Sequence, residues 1–142
     1  MSSKPETTFI NSVHKLLPPE LHREKMYNPF RGGTADCWYS GRANDLWIEY
    51  KYLDSLPVRA GVDLVHGKNP TITLLQQAWL LGRWDEGRNV WVVVGCAKGG
   101  VVMDGPSWNT PWLAKDFRDA IVDRRALARK ITNFTMKPRF KP

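Results

Sequence analysis

Cysteine is scarce: the 142 residues contain only Cys37 and Cys96. Two thiols set inside apolar runs do not make a disulfide scaffold, and they are expected as buried free cysteines in a reducing compartment. Histidine is also rare. His14, His22 and His66 have no cysteine or histidine neighbour at metal-ligand spacing, which argues against zinc. No apolar run approaches the roughly 20 residues that cross a bilayer, so no membrane partner is expected. Residues Met1 to Thr8 are polar and lack the apolar stretch of a secretion signal. The expected location is the cytoplasm.

Acidic residues are the next shortage. Fourteen Asp and Glu face 21 Lys and Arg, for a net charge of +7. The excess is concentrated: residues 115–142 hold nine Lys or Arg against three Asp. A basic surface favours a polyanionic partner, because neutralising phosphates releases condensed counterions. An apolar fraction of 42% and a charged fraction of 25% fit one globular domain with one core. We expect that domain over residues 1–131, followed by a basic tail over 132–142. Seven tryptophans point to an aromatic-rich interior.

Hydrophobic spacing predicts a helix over residues 4–17, where Phe9, Ile10, Val13, Leu16 and Leu17 recur on one side and Pro18-Pro19 ends the run. A short strand is expected over 21–27, then a loop over 28–33. Two strands follow, Ala35 to Tyr39 and Leu46 to Leu53, joined by the turn-like Ser40-Gly41-Arg42-Ala43-Asn44-Asp45. Residues 54–70 form a long connection in which Val62 to Val65 reads as an optional strand. Thr73 to Glu86 reads as a helix stopped by Gly87. Val90 to Val94 reads as a buried strand, with Val101 to Met103 its hairpin partner. A final helix is expected from Pro111 to about Ile131, with Leu113, Phe117, Ala120, Ile121 and Leu127 inward. The order α-β-β-β-α-β-β-α implies an α/β fold, a mixed central sheet flanked by helices.

Chemistry concentrates around the first hairpin. Leu46, Ile48, Tyr50 and Tyr52 share one face of their strand; Trp47, Glu49 and Lys51 share the other. A turn centred between Arg42 and Ala43 sets Asp36 opposite Glu49. Carboxylates so placed lie about 5 Å apart and destabilise a sheet unless something neutralises them. A divalent cation does so, and an all-oxygen, incompletely saturated site suits Mg²⁺ or Mn²⁺. Lys51, one pleat along, brings an ammonium group. An acid pair, a metal and a lysine suit phosphodiester hydrolysis. Two further residues each fit two roles. Glu6 heads the apolar stripe of the first helix, yet Ser3-Lys4-Pro5-Glu6 also matches a capping box. Gln76 completes the capping box Thr73-Leu74-Leu75-Gln76, and its amide also suits a contact to the attacking water or a phosphate.

At these residues the chain resembles the PD-(D/E)xK nuclease superfamily. The matching pieces are Gly33-Thr34-Ala35-Asp36, Trp47-Ile48-Glu49-Tyr50-Lys51 and Gln76-Gln77-Ala78-Trp79. The spacing from Asp36 to Glu49 is similar to that of archaeal-type Holliday junction resolvases. The Gln-x-x-Trp helix is similar to VRR-NUC domains and small phage endonucleases. Ala35 stands where the pattern usually has Pro, which removes a backbone restraint but no ligand. The resemblance spans about residues 4–104 and implies a restriction-endonuclease-like core. It also implies metal binding by Asp36, Glu49 and the Tyr50 carbonyl, with Glu6 direct or through water, Lys51 as catalytic lysine and Gln76 as auxiliary.

Arg23, Lys25, Arg31, Gly33 and Arg42 lie near the site in sequence, and Lys115, Arg118, Arg125 and Arg129 lie in the final helix. These are the expected DNA contacts. Among the tryptophans, Trp108 and Trp112 are the expected exposed ones; Trp38, Trp47, Trp79, Trp84 and Trp91 are expected in core or interface. The function implied is a Mg²⁺-dependent DNA endonuclease acting on branched DNA as a homodimer, with a phage origin acting in a bacterial cytoplasm. The competing readings are a site-specific or nicking enzyme on linear duplex, or a DNA-binding protein that keeps the fold without catalysis.

Overall fold

A computed structural model describes residues 4–26 and 32–137. Helix α1 spans Lys4–His14 and is followed by strands β1 (His22–Lys25), β2 (Cys37–Ser40) and β3 (Asp45–Tyr52). Helix α2 (Leu74–Asp85) leads to β4 (Val90–Cys96) and β5 (Gly99–Asp104). A single 3-10 turn at Ser107–Asn109 precedes α3 (Ala114–Asp119) and α4 (Arg124–Met136).

The five strands lie in sequence order across one sheet. Only β3 and β4 run parallel; the other neighbours are antiparallel. A parallel pair needs a crossover, and the 53–73 connection with α2 supplies it. The mixed sheet flanked by helices is the expected fold class. Strand β4 is buried along its whole length. Its unbroken apolar run reflects cover on both faces. On one face α1 and α4 bring Phe9, Ile10, Val13, Leu127 and Ile131 against Leu46, Ile48, Tyr50 and Val93. On the other, Leu80 of α2, Phe117 of α3 and Ile72 of the connection meet Val90, Val92, Val94 and Met103. Both cysteines are buried and free. Burial pushes the Cys37 thiol up to about 12. Among the described residues no helix is long and apolar enough to cross a membrane.

Five expectations need correction. Helix α1 stops at His14, and residues 15–17 form a turn before the two prolines. Val62 makes one isolated bridge to Trp112 rather than a strand. The single final helix is two. Val122 exchanges both backbone bonds with Gly100 at the sheet edge, 2.8 and 2.9 Å, and so leaves helical conformation. Asp123 then starts α4 as its N-cap, accepting the Ala126 N–H at 2.7 Å. Pairing an edge strand satisfies its free backbone groups, which outweighs helix continuity there. Leu113, expected inward, is 70% exposed because it precedes α3. Helix α4 continues past Ile131 to Met136.

Candidate active site

Strand register decides whether the two carboxylates meet. Cys37 pairs with Ile48 and Trp38 with Trp47. Continued one residue further, this register sets Asp36 opposite Glu49. Asp36 sits just before β2, and its Oδ2 accepts the Tyr50 N–H at 2.8 Å. The backbone of β3 thus anchors the carboxyl group beside the strand.

Glu49 is 1% exposed in the middle of β3. Its Oε2 accepts Gln76 Nε2 at 3.0 Å and lies 3.1 Å from Lys51 Nζ. Its Oε1 is buried with no hydrogen-bond partner among the described residues. Burial first, then the Asp36 charge, pushes the Glu49 carboxyl up to about 8; Lys51 opposes this and Glu6 adds to it. Burial likewise raises Asp36, against the pull of the Tyr50 amide, Lys51 and the adjacent Glu49. Two acids raised by burial, Glu49 also by its neighbour's charge, cost stability, and such groups collect at functional sites.

Gln76 closes the expected capping box and, from the same position, also contacts the acid and the lysine. Its N–H donates to Thr73 Oγ1 at 3.2 Å, and its Oε1 accepts the Thr73 N–H at 2.9 Å, closing the capping box of α2. The same Oε1 accepts Lys51 Nζ at 3.2 Å. With the oxygen committed to two donors, the amide NH₂ must face Glu49. A helix cap therefore orients the acid and the lysine together. Gly33 lets the approach loop close on this cap. It has φ +99°, and a Cβ there would lie 2.6 Å from the Leu75 carbonyl oxygen.

Glu6 is buried at the head of α1, and its charge reaches Glu49. Ser3, the other half of its capping-box match, lies outside the described residues. The described residues contain no group of three or more His, Cys, Asp or Glu placed to hold a metal ion. Asp36 and Glu49 are thus a two-carboxylate donor set. That set fits Mg²⁺, which keeps several waters and takes one or two carboxylates. The unpartnered Glu49 Oε1 is a free, buried oxygen of the kind such an ion would satisfy.

The basic residues divide. Arg23 is spent on backbone: its three nitrogens donate to the Leu21, His14 and Pro18 carbonyls at 3.2, 2.7 and 2.5 Å. Lys25 donates to Asn11 Oδ1. Arg42 donates to the Met136 carbonyl at 2.7 Å. Arg118 clamps the Pro57 and Val58 carbonyls, both at 2.9 Å, and Lys115 pairs with Asp119. Arg125 and Arg129 are exposed on α4, which packs on the sheet face opposite α2. Arg31 lies outside the described residues.

The tryptophans reverse one expectation. Trp108 is 1% exposed, and Trp112 is half-buried with its indole N–H on the Ser107 carbonyl. Trp84, expected in core or interface, is 43% exposed and so is not core. Beside the acids runs a row that residue spacing alone left unread. Trp38 meets Trp47 at 6.0 Å between ring centroids, Trp47 meets Trp79 at 5.1 Å, and Arg83 lies 5.6 Å over Trp79. Gln76, Trp79 and Arg83 follow helical spacing, which was the available signal.

No family model matches the chain, and no curated protein matches it. Among solved structures the fold is similar to that of Hjc from Archaeoglobus fulgidus, a Holliday junction resolvase of an archaeal hyperthermophile. The two superpose with a TM-score of 0.52 at 13% identity, over 90% of this chain and 98% of that one. At that identity the likeness is one of fold.

Proposed function

We propose that the chain is a metal-dependent DNA endonuclease with Asp36, Glu49 and Lys51 at its centre. The observation that carries this reading is the buried Glu49 carboxylate, held by Gln76 and Lys51 on one oxygen and unpartnered on the other. A purely structural acid would be satisfied or exposed.

Asp36 and Glu49 would hold Mg²⁺ or Mn²⁺, with the Tyr50 carbonyl as a third ligand and Glu6 reaching the ion through water. Held there, such an ion would supply polarisation of a phosphoryl oxygen and acidification of water. Lys51, tethered by Glu49 and the Gln76 oxygen, is positioned to stabilise negative charge developing on the phosphoryl group. Gln76 keeps both groups in register by using its cap to fix its own rotamer. Net charge of +7 supplies attraction to the phosphate backbone. Arg23 serves the fold, and exposed Arg125 and Arg129, on the sheet face away from Glu49, add only to the long-range attraction.

The fold shared with a junction resolvase supports branched DNA as the substrate, and symmetric cutting of a junction implies a homodimer. The test incubates purified protein with a four-way junction and with a matched linear duplex, in Mg²⁺ and in EDTA. Asp36→Asn is run alongside. Junction-selective cutting that needs both the metal and Asp36 supports the proposal. Equal cutting of the linear duplex replaces it with a nicking or site-specific enzyme. Metal-independent binding without cutting leaves a DNA-binding protein on this fold.

A further inference from the structure

A cavity of about 630 Å³ opens at the start of β3, lined by Trp38, Asp45, Trp47, Arg83, Glu86 and Arg88. That volume lies in the range that encloses a small ligand. Trp47 and Glu49 lie on the same face of β3, two residues apart, which places them about 6.6 Å from each other along the strand. B-DNA rises about 3.4 Å per nucleotide along one strand, so the near edge of the cavity at Trp47 lies about two nucleotides from Glu49, and its far side at Asp45 about four.

Its charges exclude the commonest occupant of a nuclease groove. Arg83 and Arg88 are balanced by Asp45 and Glu86, and Arg83 is ion-paired with Glu86. A phosphate would gain little from a neutral wall and would meet two carboxylates. A nucleobase meets different terms. It is uncharged and planar, and it carries donors and acceptors at its edge. Trp38 and Trp47, both half-buried, offer indole surface for stacking. Carboxylates accept the exocyclic amino groups of bases, and guanidinium groups donate to their ring nitrogens and carbonyls. Asn44 and Asn89 complete a polar rim.

We propose that this cavity receives one unpaired nucleobase a few nucleotides from the phosphate that is cut. The inference rests on the nuclease reading and sharpens its substrate to DNA that offers an unpaired base near the cleavage point. A bulge supplies such a base at little cost, whereas fully paired DNA, a four-way junction included, must first unpair and unstack one. Helix α2 couples the two places, because Gln76 contacts Glu49 while Arg83, further along the same helix face, lines the cavity and Trp79 packs against both Trp47 and Arg83.

The test uses duplex DNA with a single bulged 2-aminopurine, and the same DNA with an abasic residue at the bulge. Binding is followed by anisotropy in Ca²⁺, and stacking by 2-aminopurine fluorescence. The wild type is expected to quench the fluorophore and to bind the abasic DNA about ten-fold more weakly, the scale of one base–aromatic stack. Trp38→Ala should abolish both effects. Ala43→Leu is the companion variant, since Ala43 lines the cavity and a larger aliphatic side chain fills it without removing or adding an aromatic. It too should lose quenching and the abasic discrimination, with its circular dichroism unchanged. Equal affinity of the wild type for the two DNAs overturns the proposal, as does full quenching by folded Ala43→Leu. The nuclease reading fails separately. Base discrimination without cleavage in Mg²⁺ removes the activity but keeps the cavity's ligand, and Asp36-dependent cleavage without discrimination does the reverse.

Discussion

The two faces of the sheet both bury polar side chains beneath a helix, yet only one face satisfies them. Under α1 and α4, His14 Nε2 bonds the Tyr39 hydroxyl at 2.7 Å, which bonds the Tyr50 hydroxyl at 2.6 Å. Each group in that chain has a partner, and burial holds His14 down at about 4 with help from Arg23 and Lys25, so it stays neutral. Under α2, Glu49 keeps one oxygen unpartnered, and burial with the Asp36 charge pushes its carboxyl up to about 8. A closed network buys rigidity; an open one holds binding capacity in reserve. Neighbouring residues of a single strand serve both, since Glu49 and Tyr50 point to opposite faces.

The sharpest way to break this contrast is Asp36→Asn. Asparagine keeps an acceptor for the Tyr50 N–H but removes half of the like-charge pair. Nuclease activity should fall by about 10³-fold, the scale of losing a key electrostatic group. Metal-free stability at pH 8 should stay level or rise by up to about 1 kcal/mol, as for removal of facing like charges. Urea unfolding beside a cleavage assay reads both, and a clear loss of stability would assign Asp36 to the fold.

Gln76→Ala probes the hinge between cap and acid. Activity should drop about 10- to 100-fold, as when a group that orients metal ligands is removed. Stability should fall by about 1 kcal/mol from the lost cap. Gln76→Glu retains the cap acceptor but places a third negative charge against Glu49. If it restores the cap's stability and leaves activity low, the two roles are separable.

Tyr39→Phe should do the opposite. It strips the middle hydroxyl from the closed network and should cost about 1–3 kcal/mol of stability, with cleavage of a junction substrate unchanged. Equal losses in both assays would dissolve the distinction between the faces.

The closed face should also carry a pH dependence. His14 is neutral when folded, with its value lowered from 6.5 to about 4. Between those two values the unfolded chain binds the extra proton, so this contribution to stability is complete above pH 6.5 and declines as pH falls towards 4. His14→Gln should flatten that part of the stability–pH curve in urea titrations. An unchanged slope would show that His14 is not responsible for it.

Much of the site was legible before any coordinates. Alternation put Glu49 and Lys51 on one face, and counting back from a symmetric turn put Asp36 across from Glu49, because hairpin geometry is local and arithmetic. The boundaries of α2 were legible for a similar reason: Thr73 and Gln76 make a cap within one turn of chain. Other features were hidden because they depend on what arrives from far away. Arg23 looked like a phosphate contact until three carbonyls near the end of α1 claimed its donors. Trp108 and Trp112 looked exposed until the 3-10 turn and the Val62 bridge covered them. The final helix looked continuous until Gly100 offered Val122 a sheet edge.

What the chain of residues determined alone is therefore the short-range order: strand faces, the hairpin register and the cap that starts α2. Only the folded molecule decided that the Gln76 cap would land on Glu49 and Lys51, that Trp38 and Trp47 would border a neutral cavity, and that one carboxylate oxygen would be left open. The reason is range. Backbone dihedrals and hydrogen bonds within a turn are set by neighbours in sequence, whereas burial and charge at a site are set by every segment that packs around it.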